Sequence, residues 1–227
     1  MQLEVLSSIS QISASAWNAL FAADYPFCRH EFLQALELGC SVGKGTGWLP
    51  QHLLLWDGDT LIAAAPAYLK QHSYGEYLFD RVFAEAYQRY GVRYYPKLLL
   101  AVPFTPAEGP RLGIAAGVDP LTVLPLLQQS MRDAQPDTAA AKLLALSHWQ
   151  CLYGGQTEQR LFRADGWLER FDVQFEWQNP TQKFASFEQF LATLTARKRK
   201  QIRKERALVQ QQGLQLRTLT GDDLDAS

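Results

Sequence analysis

The chain has 227 residues, of which 47% are hydrophobic and 20% charged, with 22 basic and 23 acidic side chains. This composition supports a substantial core and excludes an intrinsically disordered chain, and no window approaches the roughly 20 apolar residues of a membrane-spanning helix. The three cysteines lack metal-type spacing and the first residues lack a basic, signal-type start, so we expect reduced thiols and a cytoplasmic location.

The N-terminal third of the chain predicts a strand, two helices and a hairpin. Ser13 is a good N-cap for the first helix, and Asp57-Gly58 between two apolar runs is a strong hairpin signal. The predicted elements are, in order, a strand at 3–9, a helix from Ser13, a helix at 29–37, and hairpin strands at 52–56 and 60–68.

The remainder alternates between helices and strands, which indicates a mixed α/β fold. The apolar side of the helix at 79–90 is expected to face the core, and Gly91 and Gly166 are expected to end helices. The predicted elements are helices at 79–90, 120–134 and 156–164, strands at 97–104, 142–147 and 171–177, a helix at 186–212 broken near Thr195, a strand at 214–219, and a helix opening at 222–227. The abrupt end suggests the first half of a longer protein.

A basic segment at 197–206 is the strongest charge signal. It carries seven Lys or Arg residues and one acid, so its net charge is +6 while the rest of the chain sums to −7. Repulsion between like charges three and four residues apart costs a few tenths of a kcal/mol each, which binding to a polyanion would offset. A solvated helix face is the alternative. The residues predicted to bind a polyanion are Arg197, Lys198, Lys200, Arg203 and Lys204.

The block at 72–111 is the candidate wall of a catalytic site. Glu76 or Asp80 can accept a proton from an amine if burial raises its pKa, and His72 can do so without a shift. Both carboxylates also stand at the start of a predicted helix, where acids favour the helix dipole. The residues predicted to bind substrate are Tyr95, Lys97, Thr105 and Arg111.

Other chemistries find little support in the sequence. There is no Gly-x-Ser-x-Gly elbow and no Gly-x-x-x-x-Gly-Lys-Ser/Thr loop, and Gly43-Lys44-Gly45-Thr46 is only superficially similar to the latter. The four histidines are scattered without metal-type spacing, so we predict no metal site.

Several segments together resemble the FemAB-like peptidoglycan biosynthesis/recognition proteins, which are N-acyltransferases of the GNAT superfamily by prediction. The segments are His72-Ser-Tyr-Gly-Glu-Tyr-Leu-Phe-Asp80, Arg93-Tyr-Tyr-Pro-Lys97, Val102-Pro-Phe-Thr-Pro106, Gly109-Pro-Arg111 and the basic helix. The resemblance implies a GNAT-like mixed central sheet with flanking helices, followed by a long basic helix. It also implies two tandem domains, here a first domain at 1–185, a helical connector at 186–213 and the start of a second domain at 214–227.

The chain departs from the family pattern in three places. The GNAT pyrophosphate signature is interrupted, because Ile114 occupies the position of its first glycine after Arg111. Where the family strand continues with His-Trp, this chain has Glu176-Trp177. We expect a second half, where related enzymes keep much of their acceptor and catalytic apparatus, to lie beyond this sequence.

Two functions from different classes follow. The resemblance implies an N-acyltransferase that moves an acyl or aminoacyl group from acyl-CoA or aminoacyl-tRNA to an amine of a peptidoglycan precursor or another cell-wall-related acceptor. The interrupted pyrophosphate loop favours instead a non-catalytic module that recognises a peptidoglycan precursor or RNA through the basic helix.

Overall fold

A computed structural model of the chain describes residues 1–78, 80–173, 175, 177, 179, 184–214 and 217. The chain divides into two compact units, unit 1 at Met1–Asp172 and unit 2 at Val173–Ser227. Unit 1 contains two four-stranded sheets with helices, so the predicted mixed α/β class is confirmed. The GNAT-like character of the fold and the domain boundaries proposed above stay predictions.

Eight strands build the two sheets of unit 1. They are β1 (Gln2–Leu6), β2 (Trp48–Pro50), β3 (His52–Asp57), β4 (Thr60–Ala65), β5 (Ala67–Lys70), β6 (Lys97–Leu100), β7 (Gly113–Ile114) and β8 (Trp149–Cys151). The first sheet has the order β1-β3-β4-β7 with antiparallel pairs throughout. The second has the order β2-β5-β6-β8, in which only β6 and β8 run parallel.

Six α-helices lie in the described part of unit 1 and two in that of unit 2, and short 3-10 helices lie at Ile9–Gln11, Pro26–Cys28 and Leu143–Ala145. The α-helices are numbered in chain order. They are α1 (Ala14–Asn18), α2 (His30–Leu38), α3 (Arg81–Arg89), α4 (Pro120–Arg132), α5 (Ala139–Lys142), α6 (Gln156–Ala164), α7 (Phe187–Ala192) and α8 (Ala196–Gln211). Leucines and alanines of β3, β4 and β6 form the main core with apolar residues of α4 and α6. Within the described part of the chain, no helix is both long and apolar enough to cross a membrane.

The chain passes from the first sheet to the second at Pro66. The predicted hairpin is confirmed, since Asp57 pairs with Thr60 across a turn in which Gly58 has a φ of 57°. The second hairpin strand, predicted as one element at 60–68, is divided into β4 and β5. Proline has no N–H for a strand ladder, so each half pairs in a different sheet.

The predicted N-cap at Ser13 and the predicted helix break near Thr195 are both confirmed. Ser13 accepts a hydrogen bond from the backbone N–H of Ala16 and begins α1. In unit 2, Ser186 caps α7, and Thr195 accepts from the N–H of Lys198 and begins α8, which confirms the predicted break. The first strand ends three residues earlier than predicted, because Ser8 caps a 3-10 helix at Ile9–Gln11.

Two predicted strands are wrong. Of residues 142–147, Lys142 ends α5, Leu143–Ala145 form a 3-10 helix and 146–147 form a bend, since Thr138 caps an Ala-Ala-Ala-Lys run that favours helix. In the segment 171–177, the described residues 171–173, 175 and 177 form no strand. Gln174 and Glu176 lie outside the described residues. So do the predicted strand at 214–219 and helix opening at 222–227, of which the structure describes 214 and 217 alone.

Helix α3 forms as predicted, but its apolar side does not join the core. None of its nine residues is buried, and the side chains of Val82 and Phe83 are exposed, as is that of Tyr90 at its C-cap. The core location predicted for this face is therefore wrong for these residues. Phe79, predicted as the start of the helix, lies outside the described residues.

Candidate functional site

Two buried lysines face each other across neighbouring strands of the second sheet. Lys70 at the end of β5 pairs in register with Lys97 at the start of β6, and both side chains are fully buried. Like charges directly opposite on a sheet are destabilising, and a buried ammonium is costly unless it is paired. The fold therefore requires counter-charges at this position.

The segment between β5 and α3 supplies the counter-charges. Glu76 reaches both lysines, with Oε2 2.8 Å from Nζ of Lys97 and Oε1 3.8 Å from Nζ of Lys70. Oδ2 of Asp80 lies 2.7 Å from Nζ of Lys97. We call Lys70, Glu76, Asp80 and Lys97 the buried charge cluster; its formal charges cancel when all four groups are ionised.

Neutral polar side chains complete the surroundings of Lys97. Its ammonium also donates to Oγ of Ser73 at 3.0 Å and to Oε1 of Gln150 at 2.9 Å. Asp80 additionally accepts hydrogen bonds from the hydroxyls of Ser73 and Tyr94, each at 2.8 Å. An ammonium has three N–H donors, so the four acceptors around Lys97 share them, and every one of its hydrogen bonds is made inside the protein.

Lys70 has a different environment. Its ammonium lies 3.6 Å from the centroid of the Trp48 ring and donates to the carbonyl of Tyr74 at 3.0 Å. The indole N–H of Trp48 donates to the same carbonyl at 3.2 Å. The cation–π contact replaces part of the lost hydration, and the two donors together fix the backbone at Tyr74.

The pKa values of the two carboxyl groups move in opposite directions. Burial raises the pKa of Glu76 above its ordinary value, although the ammonium groups of Lys97 and Lys70 act against it. Burial also acts to raise the pKa of Asp80, but the hydrogen bonds from Lys97, Ser73 and Tyr94 outweigh it and hold the pKa below its usual range. Of the two carboxylates, Glu76 is therefore the stronger proton acceptor and Asp80 the weaker one.

One oxygen of Glu76 remains unused. Oε1 is buried and has no hydrogen-bond partner among the described residues, and its separation from Lys70 exceeds hydrogen-bonding distance. A buried polar atom without a partner is costly and marks a place where a ligand or water can bind. Glu76 thus combines spare acceptor capacity with a raised pKa.

The buried lysine at position 70 makes stability depend on pH. Burial lowers the pKa of Lys70 to about 8 from its ordinary value of 10.5. Between these two values the unfolded chain keeps the proton that the folded chain has lost, so this group makes stability rise with pH, by up to about 1.4 kcal/mol per pH unit. We expect this contribution to be absent in Lys70→Met.

The comparison is made by urea unfolding of both proteins between pH 7.5 and pH 10. Burial raises the pKa of Cys28 and Cys151 to about 12, and these thiols act in the opposite direction in the same window. Since both proteins contain them, the difference in unfolding free energy between the proteins isolates Lys70. A difference that does not change with pH contradicts the assignment.

Three loops around the cluster contain unusual backbone conformations. Tyr77, Phe104 and Tyr153 have φ values of 56°, 57° and 54°, in the left-handed region that bulky residues rarely adopt. The hydroxyl of Tyr153 donates to the carbonyl of Tyr77 at 3.0 Å. Gly75 packs so closely on the Phe104 ring that a Cβ would lie 2.6 Å from it. Such strain concentrates at functional sites.

The predicted base His72 is half-buried beside the loop but has no free nitrogen lone pair. Its Nδ1 accepts a hydrogen bond from the backbone N–H of Tyr74 at 3.3 Å, so the neutral ring carries its proton on Nε2. Burial and the charge of Lys70 lower the pKa of His72, which keeps the ring neutral near pH 7. Nε2 packs against Gly47, where a Cβ would lie 1.9 Å away. This geometry does not support the role of His72 as a proton acceptor.

Two predicted substrate-binding residues have local partners. The hydroxyl of Tyr95 forms a hydrogen bond with Oγ of Ser73 at 2.7 Å and so belongs to the edge of the buried charge cluster. Thr105 donates to the carbonyl of Pro103 at 2.9 Å, a contact within its own loop. Lys97, also predicted to bind substrate, is occupied by the cluster. The structure thus brings Tyr95 and Lys97 together but records no contact between Thr105 and them.

Arg111 lies in the interior and not at a phosphate-binding surface. Its guanidinium donates to the carbonyls of Leu152, Pro110 and Ala107 at 2.7 to 3.0 Å and to the hydroxyl of Tyr25 at 3.1 Å. The side chain is fully buried, so this geometry does not support the predicted role of Arg111 in binding substrate. Arg111 instead ties two loops to each other, and Glu158 accepts from its backbone N–H at 3.0 Å.

The predicted polyanion-binding residues lie on α8 of unit 2. Arg197, Lys198, Lys200 and Lys204 are exposed and form no ion pair within the described part of the chain, whereas Arg203 pairs with Glu188 of α7. Arg197, Lys200 and Lys204 are spaced by three and four residues and therefore share one helix face. We call these three residues the basic stripe.

Sequence reasoning missed four members of the candidate site. Lys70, Ser73, Tyr94 and Gln150 all contact the predicted residues. Lys70 could have been found, since a lysine at the end of a buried apolar strand needs a partner. Gln150 carried no signal, because it reaches Lys97 only through the parallel pairing of β6 with β8.

Comparison with known proteins gives one finding. A sequence model of the FemAB-like family, which is described as peptidoglycan biosynthesis/recognition, matches residues 8–227 and so covers nearly the whole chain. Neither the curated proteins nor the solved structures contain a significant match to the chain.

Proposed function

The chain belongs to the FemAB-like family of peptidoglycan biosynthesis/recognition, and from this premise we propose that it is an N-acyltransferase acting on an amine of a cell-wall-related acceptor. The observation that carries the proposal is Glu76. It is a carboxylate with a raised pKa and one oxygen without a hydrogen-bond partner among the described residues, and the next residue, Tyr77, has a left-handed backbone conformation. These are the properties of a general base in a preorganised site.

Acyl transfer to an amine begins with removal of a proton from the ammonium. Oε1 of Glu76 accepts this proton, and the neutral amine attacks the carbonyl carbon of the donor. The new C–N bond forms as the C–S bond of a thioester or the C–O bond of an ester breaks, and the leaving thiolate or alkoxide takes the proton from the Glu76 carboxylic acid. The carboxylate thus regenerated takes the second proton of the attacking nitrogen and passes it to solvent, which leaves a neutral amide. Lys70 and Lys97 hold the carboxylate in place through these steps.

The donor is either acyl-CoA or aminoacyl-tRNA, and both carry phosphates. The basic stripe of α8 suits phosphate groups, because its three side chains are exposed and lack ion pairs in the described part of the chain. The direct test incubates the protein with a soluble peptidoglycan precursor that bears a free amine, supplying one donor at a time. A mass increase of the acceptor by one acyl group supports the proposal; no product with either donor contradicts it.

The basic stripe yields a separate prediction. Replacing Arg197, Lys200 and Lys204 together by glutamine is expected to weaken binding to tRNA at least tenfold at low salt. The slope of log affinity against log salt should fall by about 2 to 3, since each lost phosphate contact removes about 0.7 to 0.9. Fluorescence anisotropy across a salt series measures both quantities.

The matched control changes the same net charge elsewhere. Lys44, Lys142 and Arg160 are exposed in unit 1, and their triple glutamine variant should bind tRNA almost as wild type does. An equal loss of tRNA affinity in the two triple variants would mean that net charge alone explains the effect. The basic stripe would then not be a binding site.

A second candidate function is a non-catalytic recognition module. The observation that favours it is the complete internal pairing of Lys97 and Asp80 with the burial of all four cluster residues, which is what a purely structural cluster would also show. Under this hypothesis the precursor binds without any change in its mass, and Glu76→Gln leaves its affinity unaltered.

A further inference from the structure

Three aromatic side chains are exposed on the loops over the buried charge cluster. The exposed fractions are 80% for Tyr74, 58% for Tyr77 and 41% for Phe104. We call these three residues the aromatic platform. Large aromatic side chains dominate the energetics of ligand surfaces, and an exposed group of them on one loop region marks a site for recognition.

The backbone beneath the platform is held from inside the protein. The carbonyl of Tyr74 accepts hydrogen bonds from Trp48 and Lys70, and the carbonyl of Tyr77 accepts one from Tyr153. The Phe104 ring lies against Gly75, which separates Tyr74 from Glu76 in the chain, and it packs on Trp48 with ring centroids 5.4 Å apart. The platform is therefore preorganised, and binding to it does not require the loop to be ordered first.

Holding the platform in this way is unfavourable for folding alone. Tyr77 and Phe104 adopt left-handed conformations, which are strained for bulky side chains. Their exposed rings recover little of the hydrophobic free energy that burial would provide. A ligand that covers the rings accounts for both features.

The platform carries no exposed charge. In the described segments 71–78 and 103–105 the only charged side chain is that of Glu76, which is buried. Phosphates and carboxylates therefore find no counter-ion on these segments, and a neutral partner is favoured. Tyrosine rings present flat apolar faces with a hydroxyl at the rim, which match a pyranose ring that has C–H groups on its faces and hydroxyls at its edge.

We infer that the aromatic platform binds the neutral sugar rings of a glycan. This inference deepens the proposed function and rests on it only for the identity of the acceptor, since it names the glycan part of a cell-wall acceptor as the portion bound over Glu76. The glycan then lies above the carboxylate while the amine to be acylated reaches Oε1. Binding itself requires neither a donor nor turnover.

The test titrates the full chain with the tetrasaccharide of N-acetylglucosamine, which is neutral, while two-dimensional NMR follows the indole N–H signals. We expect the Trp48 signal to shift, because its N–H bonds to Tyr74, and we expect a dissociation constant on the order of 1 mM for an open surface. Trp48→Phe assigns the signal. Tyr74→Ala should weaken binding at least tenfold.

Two further variants control the test. Tyr90→Ala removes a tyrosine that is 85% exposed at the end of α3 and outside the platform, and it should bind as wild type does. Tyr77→Asn should weaken binding like Tyr74→Ala while keeping the fold, since asparagine tolerates the left-handed conformation.

Three results would overturn the inference. The first is a Trp48 signal that does not shift at tetrasaccharide concentrations up to 10-fold above the expected dissociation constant. The others are an unchanged affinity in Tyr74→Ala and Tyr77→Asn, or a loss of affinity in Tyr90→Ala equal to theirs. Acyl transfer to a sugar-free stem peptide separates this inference from the proposed function. If that transfer proceeds in wild type and is unchanged in Tyr74→Ala while no glycan binds, the inference fails and the proposed function stands.

Discussion

Replacing Lys97 by methionine is expected to lower the free energy of unfolding by about 3 to 5 kcal/mol, because it leaves a buried charge uncompensated. The ammonium of Lys97 is the shared ion-pair partner of Glu76 and Asp80, at 2.8 and 2.7 Å. Without it, Asp80 keeps only hydroxyl donors, and the buried site carries excess negative charge. Methionine fills a similar volume, so a cavity contributes little to the change.

Urea unfolding followed by circular dichroism measures this change. Lys142→Met is the matched control, since Lys142 is exposed at the end of α5 and surface substitutions alter stability by about 0.5 kcal/mol or less. A loss of less than 1 kcal/mol in Lys97→Met would show that the cluster is not held by this ion pair. In that case the geometry around Glu76 would lose its support.

The largest expected effect on activity belongs to Glu76→Gln. Glutamine preserves the shape but cannot accept a proton, so the rate of acyl transfer should fall by about 10²- to 10⁴-fold, the usual contribution of a general base. In wild type the rate should rise as pH passes through the raised pKa of Glu76, because only the carboxylate form is active. This rising limb should be absent in the variant.

The control for this prediction is Glu85→Gln, which removes a carboxylate from α3 that pairs with the exposed Arg81. Its rate and pH profile should match those of wild type. Because Glu76→Gln also removes a counter-charge of two buried lysines, its unfolding is measured first, and rates are compared at a temperature where both proteins are folded. A full rate in folded Glu76→Gln would exclude Glu76 as the proton acceptor.

The sequence indicated which residues gather at the site but not that they are buried. Glu76, Asp80 and Lys97 were predicted as parts of one wall. The structure places both carboxylates within hydrogen-bonding distance of the Lys97 ammonium. Their burial depends on the register of β5 with β6, which places Lys70 opposite Lys97. The register depends on residues that are distant in the sequence, so the local pattern of charges does not predict it.

Helix α3 shows a second limit of sequence patterns. Its apolar periodicity correctly predicted a helix, yet Val82, Phe83 and Tyr90 are exposed. Periodicity identifies which face of a helix is apolar, while the packing of other elements decides whether that face is covered. By contrast, the caps at Ser13, Ser186 and Thr195 were predictable because each depends on a side chain and backbone within three residues.

The protonation of Glu76 can be measured without any substrate. Carbon-13 NMR of side-chain carboxyl groups gives its titration curve, with Glu76→Gln to assign the signal. We expect a midpoint above the ordinary value of 4.5, since burial outweighs the two lysines. A midpoint at or below 4.5 would mean that the lysines dominate, and Glu76 would then be a structural ion-pair partner and not the base of an acyl transfer.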